Sequence, residues 1–202
     1  VNGAYISSLS SLSSVPNGVL ATNLDTAIKS EPDLLESHLA RYAGYETHAF
    51  TALNTAFARE GAFVCVPDGT VVEKPIQILH LSASGEHDMV TNPRSMVLIG
   101  KGSVATIIES YASLTDDRYL TNGVTEIVLE PGARLNHYRV QCESEEAYHI
   151  ATTHVVLNRD STFSSFTLDL GGKLARNNLH VLLDGEGSSC VLNGIYVAAR
   201  SQ

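Results

Sequence analysis

Histidine, acidic and cysteine side chains are spread along this 202-residue chain, and their spacing decides which of them could hold a metal or act as a nucleophile. Eight histidines invite a metal reading. The sharpest case is Gly132 followed by His137 and Glu143, which approaches a pattern of Gly, His-x-His and a later acid. Arg139 stands where the second histidine is required, so a three-ligand site loses a member. His137 is expected to be an ordinary outward strand residue. His149 and His154 lie five apart on one expected strand, hence on opposite faces, and cannot share an ion there. One is expected to be solvated and the other hydrogen-bonded near the core.

Sugar-cleaving sites need two carboxylates converging on one face. Asp116-Asp117 fall in a turn-like segment, while Glu109, Glu126 and Asp169 each stand alone on a strand, so turn bonding and solvation are expected for all of them. Gly100-x-Gly102 and Gly171-Gly172 lack the following helix that a phosphate-cradling loop requires. Cys65, Cys142 and Cys190 are odd in number and widely separated, without CxxC spacing, which writes neither a disulfide framework nor a zinc site. A reactive thiol needs exposure and nearby positive charge, and plain packing is expected for these three. No catalytic, cofactor-binding or metal-ligating residue is assigned.

These side chains must be positioned by strands. In Leu135-Asn136-His137-Tyr138-Arg139-Val140-Gln141-Cys142, alternation groups Tyr138, Val140 and Cys142 as the apolar, inward set and leaves His137, Arg139 and Gln141 outward. Near the end of the chain the same alternation pairs Cys190 with Leu192 and puts Asn193 on the other face.

The strands themselves recur. Val64-Cys65-Val66, Val97-Leu98-Ile99, Ile127-Val128-Leu129, Val155-Val156-Leu157 and Val181-Leu182-Leu183 each precede a polar turn, with starts 33, 30, 28 and 26 residues apart. A repeat of about 30 residues carrying two strands predicts a parallel β-helix rather than a sandwich or barrel, whose turns come every 8 to 12 residues. The shortening spacing predicts loop loss between successive coils.

Before this body the pattern is helical. Pro32 and Asp33 open a helix whose stripe is Leu34, Leu35, Leu39 and Tyr42 and which Gly44 ends; a second, with Ala49, Phe50, Leu53, Ala56 and Phe57, runs from about Glu46 to Glu60 and stops at Gly61. Residues 1–20 combine an extended start with a serine-rich run, Ser7 to Ser14, expected to be poorly ordered. The expected division is therefore 1–60, an extended and Ser-rich segment with two helices, and 61–202, the β-helix.

Composition narrows the function classes. A formal charge of −9 with no Lys/Arg cluster argues against nucleic acid. No apolar stretch approaches a membrane span and no signal-peptide order opens the chain, so a cytoplasmic protein without a membrane partner is expected. The chain starts with Val and stops in the apolar Ile195-Tyr196-Val197-Ala198-Ala199, which reads as a piece of a longer protein whose last coil is uncovered. Uncovered strand edges pair with other chains, so self-association through the C-terminal end is expected.

Several short segments also carry a resemblance: Ala52-Leu53-Asn54-Thr55-Ala56-Phe57, Val66-Pro67-Asp68-Gly69, Pro75-Ile76-Gln77-Ile78, Pro93-Arg94, Ile108-Glu109-Ser110-Tyr111 and Asn122-Gly123-Val124-Thr125-Glu126. His137-Tyr138 with Gln141, Tyr148-His149, Arg176-Asn177, Leu183-Asp184-Gly185 and Leu192-Asn193-Gly194 continue it. In order and spacing the chain resembles the SufB/SufD family of iron-sulfur cluster assembly proteins, with the short helical lead-in favouring its SufD branch over SufB. The resemblance implies a right-handed parallel β-helix and a non-enzymatic scaffold subunit that pairs with SufB and the SufC ATPase. It implies cytoplasmic location, or plastid location in a photosynthetic eukaryote. It also implies that the His and Cys positions tied to cluster assembly lie past Gln202, so no functional residue transfers and no cofactor is expected on this chain. The rival reading is a β-helix or cupin-like carbohydrate-active or metal-binding enzyme, and a further one is a β-solenoid adhesion module.

Overall fold

The five apolar triplets stack because parallel strands separated by one coil can bury identical positions against each other. In the computed structural model, which describes residues 1–12, 15–46, 48–58, 60–83 and 89–198, Val64 pairs with Val97, Val97 with Ile127, Ile127 with Val155, and Val155 with Val181. The recurring block is thus one interior ladder of a solenoid.

Two parallel sheets form its walls. The first contains β2 (Ala62–Val66), β5 (Arg94–Ile99), β7 (Tyr119–Leu129), β9 (Tyr148–Leu157) and β11 (Leu174–Leu183), with the short β4 (Met89–Thr91) beside β7. The second contains β3 (Ile76–Ser82), β6 (Val104–Ser113), β8 (Arg134–Cys142), β10 (Thr162–Asp169) and β12 (Ser189–Tyr196). The chain alternates between the sheets, so each coil lies on its predecessor, and the expected parallel β-solenoid with a helical N-terminal segment is the fold observed.

Each corner after the first sheet repeats one left-handed residue: Gly69, Gly102, Gly132, Asp160 and Gly187 have φ between 57° and 73°. The corners hydrogen-bond in series, with Gly69 N donating to Lys101 O, Gly102 N to Pro131 O, Gly132 N to Arg159 O and Asp160 N to Glu186 O. Glycine suits the left-handed position sterically, and Asp is among the few other residues that tolerate it. Next to these corners lies the apolar interior, where Val66, Ile99, Leu129, Leu157, Leu135 and Phe163 are buried, each worth roughly 1.5–3 kcal/mol of transfer free energy.

The N-terminal segment covers the outer face of the first sheet. It contains β1 (Leu20–Asn23), antiparallel to β2, then α1 (Leu24–Ser30), α2 (Pro32–His38) and α3 (Ala49–Phe57). The sequence pattern anticipates α2 and α3 but neither β1 nor α1. Asn23 caps α1 by accepting from Thr26 N at 3.2 Å. The stripe Leu34, Leu35, Leu39 and Tyr42 packs on Phe63, Met96, Leu98 and Val128 as expected. The helix, however, ends at His38 rather than near Gly44, because Ala40 takes a left-handed turn (φ 60°) that aims three backbone N–H groups at one carboxylate.

α3 reverses its expected face. Thr51 and Asn54 are fully buried while Phe50 and Phe57 of the apolar stripe are 38% and 64% exposed. Asn54 Nδ2 donates to the carbonyls of Pro93 and Asn122, so hydrogen bonds rather than apolar contact set the helix's orientation. Gly61 follows because a Cβ there would lie 1.6 Å from Arg94 O. Of the serine-rich run, Ser13 and Ser14 lie outside the described residues, as does Ala199; Ser7–Leu9 form a short 3-10 turn.

Candidate functional site

Inside the solenoid, the second sheet changes character along each strand. Its inward positions form successive ladders away from the corners: Ala105, Leu135 and Phe163; then Ile107, His137 and Ser165; then Glu109, Arg139 and Thr167; then His80, Tyr111, Gln141 and Asp169. The apolar core thus gives way to a polar interior within the same stack.

This overturns the face expected for β8. His137, Arg139 and Gln141 are 3%, 2% and 0% exposed, whereas Tyr138 is 44% exposed and Cys142 faces solvent. Leu135 belongs to the apolar core, and alternation from it carries His137, Arg139 and Gln141 inward. Counting from the three apolar residues at the far end reads the strand inside out. Glu109 and Glu126, expected in solvent, are also buried.

A buried charge is stable only when it is paired and hydrogen-bonded, and each one here is. Glu109 accepts from Tyr111 OH at 2.9 Å and Thr125 Oγ1 at 3.0 Å; His137 Nε2 lies 3.3 Å from Oε2 and His80 Nε2 3.7 Å from Oε1. Burial alone would push this carboxyl up, but the His137 hydrogen bond and, more weakly at its longer distance, His80 hold it well below the usual range. Burial and the Glu109 carboxylate push the Tyr111 phenol well up. Its ring stacks on His80 at 4.6 Å and meets the edge of His149 at 4.7 Å.

Arg139 crosses the same interior. Its Nη1 donates to Asp169 Oδ1 at 2.6 Å, its Nη2 meets His149 Nε2, and its guanidinium lies 5.4 Å from the Tyr111 ring centroid. His149 Nδ1 is 2.5 Å from Glu143 Oε2, and Glu143 also accepts from Thr121 Oγ1 at 2.7 Å and Gln141 Nε2 at 3.3 Å. Burial lowers His149, aided by the Arg139 charge and opposed by Glu143. These partners require the neutral tautomer with hydrogen on Nδ1, leaving Nε2 to accept from Arg139. Burial would raise Glu143, but the hydrogen bonds from His149, Thr121 and Gln141 outweigh it.

Glu143 also forms the floor of a surface cleft of ≈ 580 Å³, lined by Ser113, Asp116, Cys142, Glu145, Glu146 and Gly171 among others. A continuous polar chain therefore runs from the cleft through Glu143, His149, Arg139 and Tyr111 to Glu109 and His137. Three carboxylates, Glu109, Glu143 and Asp169, thus share this interior with the Arg139 guanidinium.

His149 and His154 do occupy opposite faces of β9. His149 lies inside, while His154 lies outside and half-buried against the N-terminal segment, so the solvated partner expected of the pair is not found. Among the described residues no three His, Cys, Asp or Glu side chains converge as a metal site. Cys190 packs against the core on its expected face, and Cys65 lies half-buried under the helices.

A second polar node fixes those helices. On the outer face, Glu126 accepts from the backbone N–H groups of Ala40, Tyr42 and Ala43 at 2.8–2.9 Å and from Arg94 Nε and Nη2 at 3.1 and 2.9 Å. Arg94 Nη1 reaches Asn54 and Thr55, and Asn122 Nδ2 reaches Phe50 O.

Two family models cover nearly the whole of this architecture: SufBD protein N-terminal region matches residues 1–78, and SUF system FeS cluster assembly, SufBD core domain, matches residues 80–202. The chain belongs to the SufBD family. An iron-sulfur cluster assembly SufBD family protein of Synechocystis is 29% identical over all of this chain and 46% of its own length. Escherichia coli SufD is 25% identical over all of this chain and 45% of its own, and Bacillus subtilis SufB 25% identical over 92% and 40%. The chain thus spans less than half the length of these SufBD relatives, and both branches of the family lie at the same distance from it. The segments that carry the resemblance contain Glu109, Tyr111, His137, Gln141 and His149 of the interior, and Asn54, Arg94, Asn122 and Glu126 of the outer node. That coincidence was the signal available for finding both nodes.

Proposed function

We propose that this SufBD chain serves as a SufD-like scaffold subunit in iron-sulfur cluster assembly, pairing with a SufB-like subunit and engaging a SufC-like ATPase. The observation that carries the reading is the match of both SufBD family models to a solenoid whose N-terminal region and core are locked together by Glu126. A stack of coils offers a rigid outer surface and strand edges to partners. The short helical lead-in of α1 to α3 supports the SufD-like assignment within the family. The cluster is cargo of the assembled complex, not a resident group of this chain, and no catalytic step is assigned to it.

The subunit works in the cytoplasm, or in the plastid of a photosynthetic eukaryote, without contact to membrane or nucleic acid. No helix among the described residues is long and apolar enough to cross a membrane, and the −9 charge disfavours phosphate backbones. Self-association is a further part of the reading. β11 and β12 are the last strands of their sheets, and Leu182, Leu183, Val191, Leu192, Ile195 and Tyr196 on them are 50–84% exposed. Titration with purified SufB-like and SufC-like partners tests the function: saturable binding to the first is expected, and binding to neither overturns the proposal.

A further inference from the structure

Three histidine rings meet on the outer face of the first sheet, where the N-terminal segment reaches the later coils. His154 of β9 and His180 of β11 are register partners, with rings stacked at 4.4 Å and 14°. His48, which precedes α3 as its N-cap residue, lies 5.5 Å from His180 at 49°. The Nε2 atom of His154 is buried and has no hydrogen-bond partner among the described residues. Neutral imidazoles stack; imidazolium rings at these distances repel, and a proton on that Nε2 has no acceptor.

The charged and titratable groups facing His154 are His180 and His48, Glu126 on β7 and Arg94 on β5. Glu126 favours the imidazolium, but it is already engaged by Arg94 and three backbone N–H groups, and burial and His180 outweigh it. Positive charge on His180 or His48 opposes a proton on His154.

We propose that the His48–His154–His180 stack is a pH-sensitive latch that seats the first turn of α3 while its rings are neutral and releases that turn when they are protonated. The turn is held by Ala52 N donating to the His48 carbonyl at 2.9 Å and by Asn122 Nδ2 donating to the Phe50 carbonyl at 2.9 Å, whereas the rest of α3 is held independently by Asn54. The sign follows from the positions of His154: burial, then His180, pushes it from 6.5 down to about 4 in the seated state. The seated state is therefore favoured above 6.5 and loses ground as pH falls. A group moving fully between these two values raises the opening equilibrium about tenfold between pH 7.5 and 5.5, and His180, which stays paired with His154, makes that the upper limit.

Hydrogen exchange followed by mass spectrometry tests this, with rates corrected for the intrinsic pH dependence of amide exchange. Opening of α3's first turn is expected to rise severalfold, up to about tenfold, from pH 7.5 to 5.5, with β7 and β9 unchanged, and to be nearly flat in His154→Asn. Equal opening at both pH values overturns the latch, as does an undiminished pH dependence in His154→Asn or a matching loosening of β7 and β9. Should His154→Asn fail to fold, His48→Asn at an exposed position serves instead: a weakened pH dependence supports the latch and an unaltered one overturns it.

Discussion

Arg94 Nη2 and Glu126 Oε2 lie 2.9 Å apart across adjacent strands β5 and β7, buried on the outer face of the solenoid and not in its interior. The pair sits beneath the N-terminal segment and receives it. One carboxylate satisfies three backbone donors of the loop after α2, while its partner guanidinium holds Asn54 and Thr55 of α3.

Removing one member of such a pair leaves the other charged and unpartnered. Glu126→Ala is expected to cost about 3–5 kcal/mol in urea unfolding, because the buried Arg94 charge loses its counter-ion and three N–H groups lose their acceptor. Glu126→Gln keeps an acceptor and should cost about 1–3 kcal/mol. A loss below about 1 kcal/mol for the alanine variant contradicts the anchoring role of the carboxylate.

The interior network makes stability acid-sensitive. His149, Glu109 and Glu143 all have folded-state values below their ordinary ones, so each contributes stability that is present above its unfolded value and lost as pH falls. The urea midpoint should decline first below about 6.5, as buried His149 resists protonation, and more steeply below about 4.5, as the carboxylates protonate. In Glu109→Gln the second stage should shrink. A midpoint constant from pH 8 to 5 refutes the first stage.

Thiol reactivity should follow exposure. Cys142 faces the cleft, whereas burial pushes the Cys65 and Cys190 thiols up, Cys65 also feeling Glu31 and Asp68. An aromatic disulfide reagent at pH 7.5 should label Cys142 first, as peptide mapping would reveal; earlier labelling of Cys65 would show that the helices do not stay seated on β2.

Corner geometry gives two substitutions of opposite effect. Asp160 occupies the left-handed position that glycine holds in the other coils, so Asp160→Gly should change stability by less than about 1 kcal/mol. Gly100→Ala places a methyl 2.6 Å from Asp68 N, within the backbone of the preceding corner, and should lower the unfolding midpoint clearly. Comparable midpoints for the two variants would argue against stacked corners.

Exposed strand edges at β11 and β12 should drive concentration-dependent association, seen as growing mass in solution scattering. Leu182→Glu together with Leu192→Glu should suppress it. A strictly monomeric wild-type chain at high concentration overturns the expectation.

The solenoid is legible in the chain's local pattern. Five apolar triplets at a shrinking period can bury a continuous core only by stacking in register, and Val64 to Val181 do so. That pattern also determined the helical lead-in and the opposite faces of His149 and His154, since both depend on local period alone. What lies inside the coils was decided by tertiary structure. On β8 both alternating sets contain plausible inward residues, and polarity favours the wrong one, because Arg139 and His137 look solvent-bound until Asp169, His149 and Glu109 are brought to them from other strands. α3 follows the same logic: Asn54 displaces Phe57 from the interface because two carbonyls of distant strands await it. Periodicity reports which residues share a face, but partners far apart in sequence decide which face a polar residue can occupy.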